Sequence, residues 1–401
     1  MSTSFLSDAL TIDLSHERFG RDIPFAEFAA LRAHAPLFWY EPGQYWVASS
    51  HELVGGINQN PSVFSSFGHP AGIGRDGTII TMDPPEHTVY RKLVTGSFLP
   101  RAIRARRDIV QSLATELVDR FVSQGGGDWV TEVAALLPIR VMSDLMGISR
   151  NDEPGILRWV AARVIGSDPE YAPESPEHEQ RLLLQGQQFA DRLIEEHRRN
   201  PRGGDLVDVL LEARVDGAPL SQDELRAWIT LYLSGGAETT KHLIAHGLVC
   251  LLQWPDAKAA VIDGCDMPLV IEEMLRYVSP VMHHSRWPVE SFELHDQLIK
   301  PGERTTLWMI SANRDQAVFD EPDRFDVTRD PNRHDSFGAG GPHFCLGAGL
   351  TRLEATVMFE TLRPHLSRFE LGGELVRGQN NFFNLLKHCP VRVRSALRSS
   401  Q

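Results

Sequence analysis

The chain has 401 residues, and its 40 Lys and Arg against 53 Asp and Glu leave a formal net charge of −13. That acidity argues against clamping a phosphate backbone with the whole surface, so nucleic acid is not an expected partner. Hydrophobic residues at 42% and charged residues at 23% exclude a disordered or collagen-like chain.

No apolar run reaches the about 18 residues that a bilayer crossing needs, so no membrane anchor is expected. Residues 1–20 lack the basic stretch and apolar core of a secretory signal. Cys250, Cys265, Cys345 and Cys389 match no CxxC pair, zinc pattern or disulfide framework. Reducing cytoplasm is the expected compartment.

In chain order, residues 37–40 and 45–48 read as paired strands around Glu41, Pro42 and Gly43. One periodic helical segment runs from Pro100 to Ser123 and is closed by Gly125 to Gly127. Another runs from Trp129 to Met146 and ends at Gly147. Ser175 to Asn200 is polar and amphipathic, stopped by Pro201 to Gly204. The fold expected is mainly α with a small β region.

Ser221 and Glu224 form a capping-box pattern, and no proline follows until Pro255. The middle of this long helix is apolar on nearly every side (Trp228, Ile229, Leu231, Tyr232, Leu233), which predicts a helix through the interior. Gly235, Gly236, Glu238, Thr239 and Thr240 interrupt that apolar run. Each glycine weakens a helix by about 1 kcal/mol relative to Ala, and a buried carboxylate must be paired, protonated or wet. Such a breach of local rules marks either a functional site or a close backbone crossing.

Residues 337–347 form a glycine-rich loop that delivers Cys345 to the start of a helical pattern from Ala348 to Arg363. Amides and the dipole at a helix start favour thiolate over thiol, and glycines let the backbone lie against something large and flat. An inert buried cysteine and a phosphate loop are the competing readings. The second lacks the Gly-Lys-Ser/Thr ending and a βαβ unit.

On these residues the chain resembles a soluble bacterial cytochrome P450 over essentially its whole length, which implies one catalytic domain, residues 1–401. The resemblance implies a cytochrome P450 fold, with haem b buried between the long central helix and the Cys-loop helix. Cys345 is then the axial thiolate of the iron, and Phe337, Gly338, His343 and Gly347 belong to the haem-binding loop. Phe337 lies eight residues before Cys345, one more than in the commonest loop. This longer loop is similar to that of an actinobacterial branch acting on sterol side chains and branched lipids.

Three further signals agree. Glu273 and Arg276 form an E-x-x-R pair, and Arg324 stands where a third member could close a buried Glu–Arg–Arg cluster that braces the Cys345 loop. His87 and Arg91 share one helix face at i,i+4, and with Arg286 and His343 the resemblance assigns them to the haem carboxylates. Glu238 and Thr239 match the family's acid–alcohol pair, which implies that Thr239 organises a water and Glu238 relays protons from outside as a general acid.

The resemblance also implies a substrate site built from Phe67, Ile79, Ile80, Gly235, Met282, His283, Phe382 and Phe383, on segments 64–81, 159–165, 281–284 and 380–384. A lipophilic steroid- or terpenoid-like molecule fits such walls, anchored through His283 or His284. No flavin or iron–sulfur pattern is present, so electrons are expected from a ferredoxin and ferredoxin reductase, docking on a basic spot made by Arg91, Lys92, Arg352 and His343. A monomer is expected. The activity implied is insertion of one oxygen atom into a C–H bond. The alternatives are a peroxide-driven or oxidative-coupling enzyme and a non-catalytic haem-bearing binder of hydrophobic ligands.

Overall fold

A computed structural model describes residues 11–67 and 78–395. The aromatic pattern near the start folds as expected. Strand β1 (Leu37–Tyr40) pairs antiparallel with β2 (Tyr45–Ala48), Tyr40 opposite Tyr45, across a 3-10 turn at Glu41–Gly43. Three more strands complete this sheet: β3 (Phe64–Ser65), β4 (His284–Pro288) and β5 (Thr305–Leu307), in the order β1–β2–β5–β4–β3. β5 lies parallel to β2 and antiparallel to β4, so residues far apart in sequence share one layer. β2 is buried throughout because the sheet is covered there.

The segment predicted as one helix from Pro100 to Ser123 is two, Pro100–Arg104 and Arg107–Ser123. Ile103 and Val110 are both buried; seven residues apart, they keep the apolar period running across the break. The glycines that follow do more than end a helix. Gly126–Asp128 is a strand against Pro390–Val393, and a Cβ on Gly126 (φ +114°) would stand 2.1 Å from the Val391 carbonyl oxygen. Residues 129–146 likewise divide, into a π-helical turn at Val130–Ala134 and a helix at Leu136–Met146, closed by Gly147 in the left-handed region.

Ser175 caps the helix Pro176–Arg199 through the His178 amide. The central helix, Gln222–Gln253, is unbroken over 32 residues, and both halves of its capping box form: Ser221 Oγ accepts from Glu224 N, and Glu224 Oε2 accepts from Ser221 N. Trp228, Ile229, Leu233, Leu243, Ile244 and Leu248 on it are all fully buried, each side chain contributing about 1.5–3 kcal/mol by leaving water. Among the helices packed on it are Leu136–Met146, Pro176–Arg199, Met267–Val278 and the Cys-loop helix Ala348–Leu362. Among the described residues no helix is long and apolar enough to cross a membrane.

Candidate active site

The Cys345 loop is a chain of tight turns. Gly338, Ala339 and Gly340 all have positive φ, and Cys345 N donates to Phe337 O at 2.9 Å. Phe337 is buried against Phe344 and under the Arg352 guanidinium, 4.5 Å from its ring centre. Asn58 Nδ2 donates to Gly338 O and Gln59 Nε2 to Ala339 O. A Cβ on Gly341 would meet Asn58 O at 2.4 Å, so the glycine there permits a close backbone approach.

Cys345 is exposed, yet burial pushes its thiol pKa up. The amides of Gly347 and Ala348 and the cations Arg91 and Arg352 act in the opposite direction but do not win. The helix start therefore does not by itself yield a thiolate, contrary to the expectation from sequence. A coordinated metal ion would, because it deprotonates a thiol outright.

Beside this sulfur the structure gathers four nitrogen-bearing side chains from three distant segments. His87 and His343 stack at 4.2 Å between ring centres. Arg91 Nη2 donates to Phe344 O at 2.6 Å, and Arg286 Nη2 donates to Asn58 Oδ1 at 2.6 Å. Burial, then the neighbouring cations, push His87 down to about 4 and His343 down to about 2, while burial pushes Arg286 down to about 10. Neither arginine forms an ion pair among the described residues, and His87 Nε2 is buried with no hydrogen-bond partner. An orphaned buried nitrogen and two unneutralised guanidiniums suit a dianion, so the two propionates of haem fit this set.

The brace behind the loop is present with one member changed. Arg276 uses all five N–H donors: two on the Glu273 carboxylate (2.8 and 2.7 Å) and three on the carbonyls of Asn313, Pro322 and Arg324. Glu273 also accepts from Asp326 N, Arg329 Nε and Asn332 Nδ2. Arg324 does not close the cluster; its side chain is half exposed and pairs with Glu321 at 3.2 Å. Only its backbone carbonyl reaches in, and Arg329 is the third charged member. From this cluster Asn313 carries the order onward, accepting from Asp335 N and donating to Ser336 Oγ just before Phe337.

On the central helix, Gly235 is exposed and a Cβ there would meet only Leu231, at 3.8 Å. Gly236 is different: a Cβ would stand 2.8 Å from Met142 Sδ, so this glycine lets a helix approach rather than opening a groove. Thr239 Oγ1 donates back to Gly235 O at 2.9 Å. Glu238 turns inward, where Lys241 Nζ donates to its Oε2 and His242 Nε2 lies 3.7 Å away. Burial pushes this carboxyl up, but Lys241 and His242 together bring it down to about 2. His246 Nε2, one turn further on, meets the Asn384 carbonyl at 3.0 Å. Lys241 escaped notice in the sequence, although its position three residues after Glu238 was the available signal. Asn58, Asn313 and Arg329 gave no local signal.

The substrate segments divide. Ile79 and Phe383 are buried, Ile80 and Phe382 half-buried, and Phe67 is 53% exposed. Residues 68–77 of the first segment lie outside the described residues. Met282 is fully buried with Phe19, Phe28 and Trp308 and does not line an open site. His283 lies against Trp308 and Phe382, at 4.4 and 5.5 Å between ring centres, and His284 Nε2 meets Asn58 Oδ1 at 3.1 Å.

The proposed basic spot also changes. Arg352 is bound bidentately by Glu272, at 2.6 and 2.8 Å, and the depressed pKa of His343 leaves it neutral. Lys92 is exposed as expected, and near it stand exposed Arg101 and Arg104 on the helix Pro100–Arg104, which packs on the Cys-loop helix.

The family model for cytochrome P450 matches residues 171–385. The chain is 31% identical to a steroid C26-monooxygenase of Mycolicibacterium smegmatis, over 98% of this chain and 95% of the relative. It is 32% identical to a linalool 8-monooxygenase of Pseudomonas putida, over 93% and 96%. A solved Mycobacterium marinum cytochrome P450 in complex with pseudoionone superposes with a TM-score of 0.88 at 32% identity, covering 95% of this chain and 98% of that one. The fold is the cytochrome P450 fold, and the chain belongs to the cytochrome P450 family. It is a haem-thiolate monooxygenase whose cofactor is haem b.

Proposed function

We propose that residues 1–401 form one catalytic domain that inserts an oxygen atom into a C–H bond of a lipophilic steroid- or terpenoid-like molecule. Cys345 would ligate the haem iron, and His87, Arg91, Arg286 and His343 would hold the two propionates. The observation that carries this is the cationic cluster beside Cys345, whose Arg91 and Arg286 form no ion pair among the described residues and whose His87 Nε2 is orphaned. Bound there, haem supplies oxygen activation and one-electron chemistry.

The protein's own part is position and protons. Thr239 Oγ1, anchored on Gly235 O, keeps its lone pairs available to a water or a proton-bearing partner on the open side of the helix. Glu238, at about 2, carries no proton near neutrality. It serves as a relay that takes up a proton transiently and hands it on, held in place by its contact with Lys241 Nζ, rather than as a standing acid.

Three relatives or neighbours that carry steroid, linalool and pseudoionone in their names support a lipophilic substrate. Phe382, Ile80 and Phe67 supply apolar wall. Electrons come from a cytoplasmic ferredoxin and its reductase, the acidic ferredoxin meeting Lys92, Arg101 and Arg104 around exposed Leu99 and Phe344.

The test is the reduced carbon-monoxide difference spectrum of wild type and Cys345→Ala, followed by a screen of steroids, terpenoids and phenolics for a ferric Soret shift. The thiolate band is expected in wild type and lost in the variant. A band that survives Cys345→Ala removes the ligand assignment. Rising salt should slow reduction by the ferredoxin, and a salt-independent rate would count against electrostatic docking.

A further inference from the structure

Away from the haem residues, the junction between the helix Pro176–Arg199 and the short helix Leu206–Glu212 brings together His197, Asp205 and Asp208. One ligand-capable atom from each lies within 4.8 Å of the other two. In all three residues the remaining polar atom is tied down by backbone. His197 Nδ1 donates to Leu193 O at 2.8 Å. Asp205 Oδ1 accepts from Val207 N and Asp208 N. Asp208 Oδ2 accepts from the amides of Arg202, Gly203 and Gly204.

What is left over points one way. His197 Nε2 faces Asp205 Oδ2 at 2.8 Å. With Nδ1 committed as donor to a carbonyl, Nε2 carries either a second proton or a lone pair, and a lone pair facing a carboxylate needs a cation between them. Asp208 Oδ1 is buried with no hydrogen-bond partner, on a residue only 4% exposed. Buried beside that pair, Asp208 Oδ1 lacks the donor or cation that a buried carboxylate oxygen needs. A cavity of about 300 Å³, lined by His197, Asp208, Leu211, Pro219 and Leu220, reaches the cluster and gives an ion a way in.

We propose that His197, Asp205 and Asp208 form a site for a first-row divalent cation, zinc by the chemistry of one imidazole and two carboxylates, with water completing the shell. Nitrogen and carboxylate oxygen in this mixture suit zinc better than calcium or magnesium, which prefer oxygen alone. Oriented outer contacts on every ligand are what such sites need for affinity. Bound there, the ion ties the end of one helix to the start of the next across residues 200–205, outside the reaction.

The experiment uses full-length, haem-loaded protein and zinc chloride alone, read by titration calorimetry and by anomalous scattering at the zinc edge in wild-type crystals. Wild type is expected to bind one equivalent of zinc more than His197→Gln or Asp208→Asn, or to bind it at least roughly tenfold more tightly than they do. An anomalous peak is expected within bonding distance of His197 Nε2 and an Asp208 carboxylate oxygen, with the haem spectrum unchanged. Equal uptake by all three proteins, or zinc seen only at other histidines, overturns the site. If the variants do not fold, the wild-type crystal decides alone: a peak at His197 upholds the site and its absence overturns it.

Discussion

Lys241 donates through Nζ to Glu238 Oε2 one turn earlier on the central helix, and both side chains are buried in the middle of the protein. Breaking such a pair from one side leaves a buried charge without a partner, which costs about 3–5 kcal/mol. Lys241→Met should therefore lower the unfolding free energy by about that amount, and Glu238→Gln in the same chain should restore most of it. Denaturant melts of the single and double variants measure this. In the single variant the Glu238 carboxyl loses the cation that helps hold it near 2. The acid limb of the pH profile of coupled turnover should then move to higher pH; an unmoved limb would take Lys241 out of proton delivery.

Thr239 is the hydroxyl on the open side of that helix. Thr239→Ala is expected to keep consuming NAD(P)H while product per electron pair falls and hydrogen peroxide accounts for the difference. Full coupling in the variant would contradict the role given to Oγ1.

Gly235 and Gly236 separate by substitution. Alanine at 235 meets no steric obstacle and should stabilise the helix by up to about 1 kcal/mol, while narrowing the space available to a bulky ligand. Alanine at 236 must displace Met142 and should lose that gain. Thermal melts and Soret titrations with a steroid on both variants distinguish them.

The brace predicts an asymmetry between two arginines. Arg329→Ala removes a charged donor from the buried Glu273 carboxylate and should cost about 1–3 kcal/mol. Arg324→Ala removes an exposed pair with Glu321 and should stay within about 0.5 kcal/mol. Equal losses would mean that the cluster does not depend on which side chain enters it.

His388 adds a pH dependence. Its ring lies 2.6 Å from Asp128 and 3.1 Å from Glu170. Burial opposes its charge, but these carboxylates hold its pKa above the usual 6.5. A raised histidine contributes its stability fully below pH 6.5 and loses it as pH climbs through the folded value. The stability difference between wild type and His388→Asn should thus shrink from acid to alkaline pH, as urea midpoints on either side of 6.5 will show.

Local pattern alone reached the long helix, its capping box, the first hairpin and the cysteine loop, because each depends on residues within a few positions of one another. It also put Glu238 beside Thr239 and His87 beside Arg91, since helical spacing is written in the chain. It misjudged the brace and the docking spot, because both turn on where long side chains end up. Arg324 and Arg329 are five residues apart in one irregular stretch, and nothing local says which enters the core and which meets solvent. Arg352 looked basic until Glu272 appeared against it.

Chain order and residue type thus determined that a cysteine heads a helix, that a carboxylate lies inside another, and that the family follows from their spacing. Tertiary structure alone decided the charge states. Burial raised Cys345 and silenced His343, while Lys241 and His242 overcame burial to empty Glu238 of its proton. The reason is that solvation and Coulomb energies depend on distances through space between segments the chain keeps far apart, and no periodicity along the sequence encodes them.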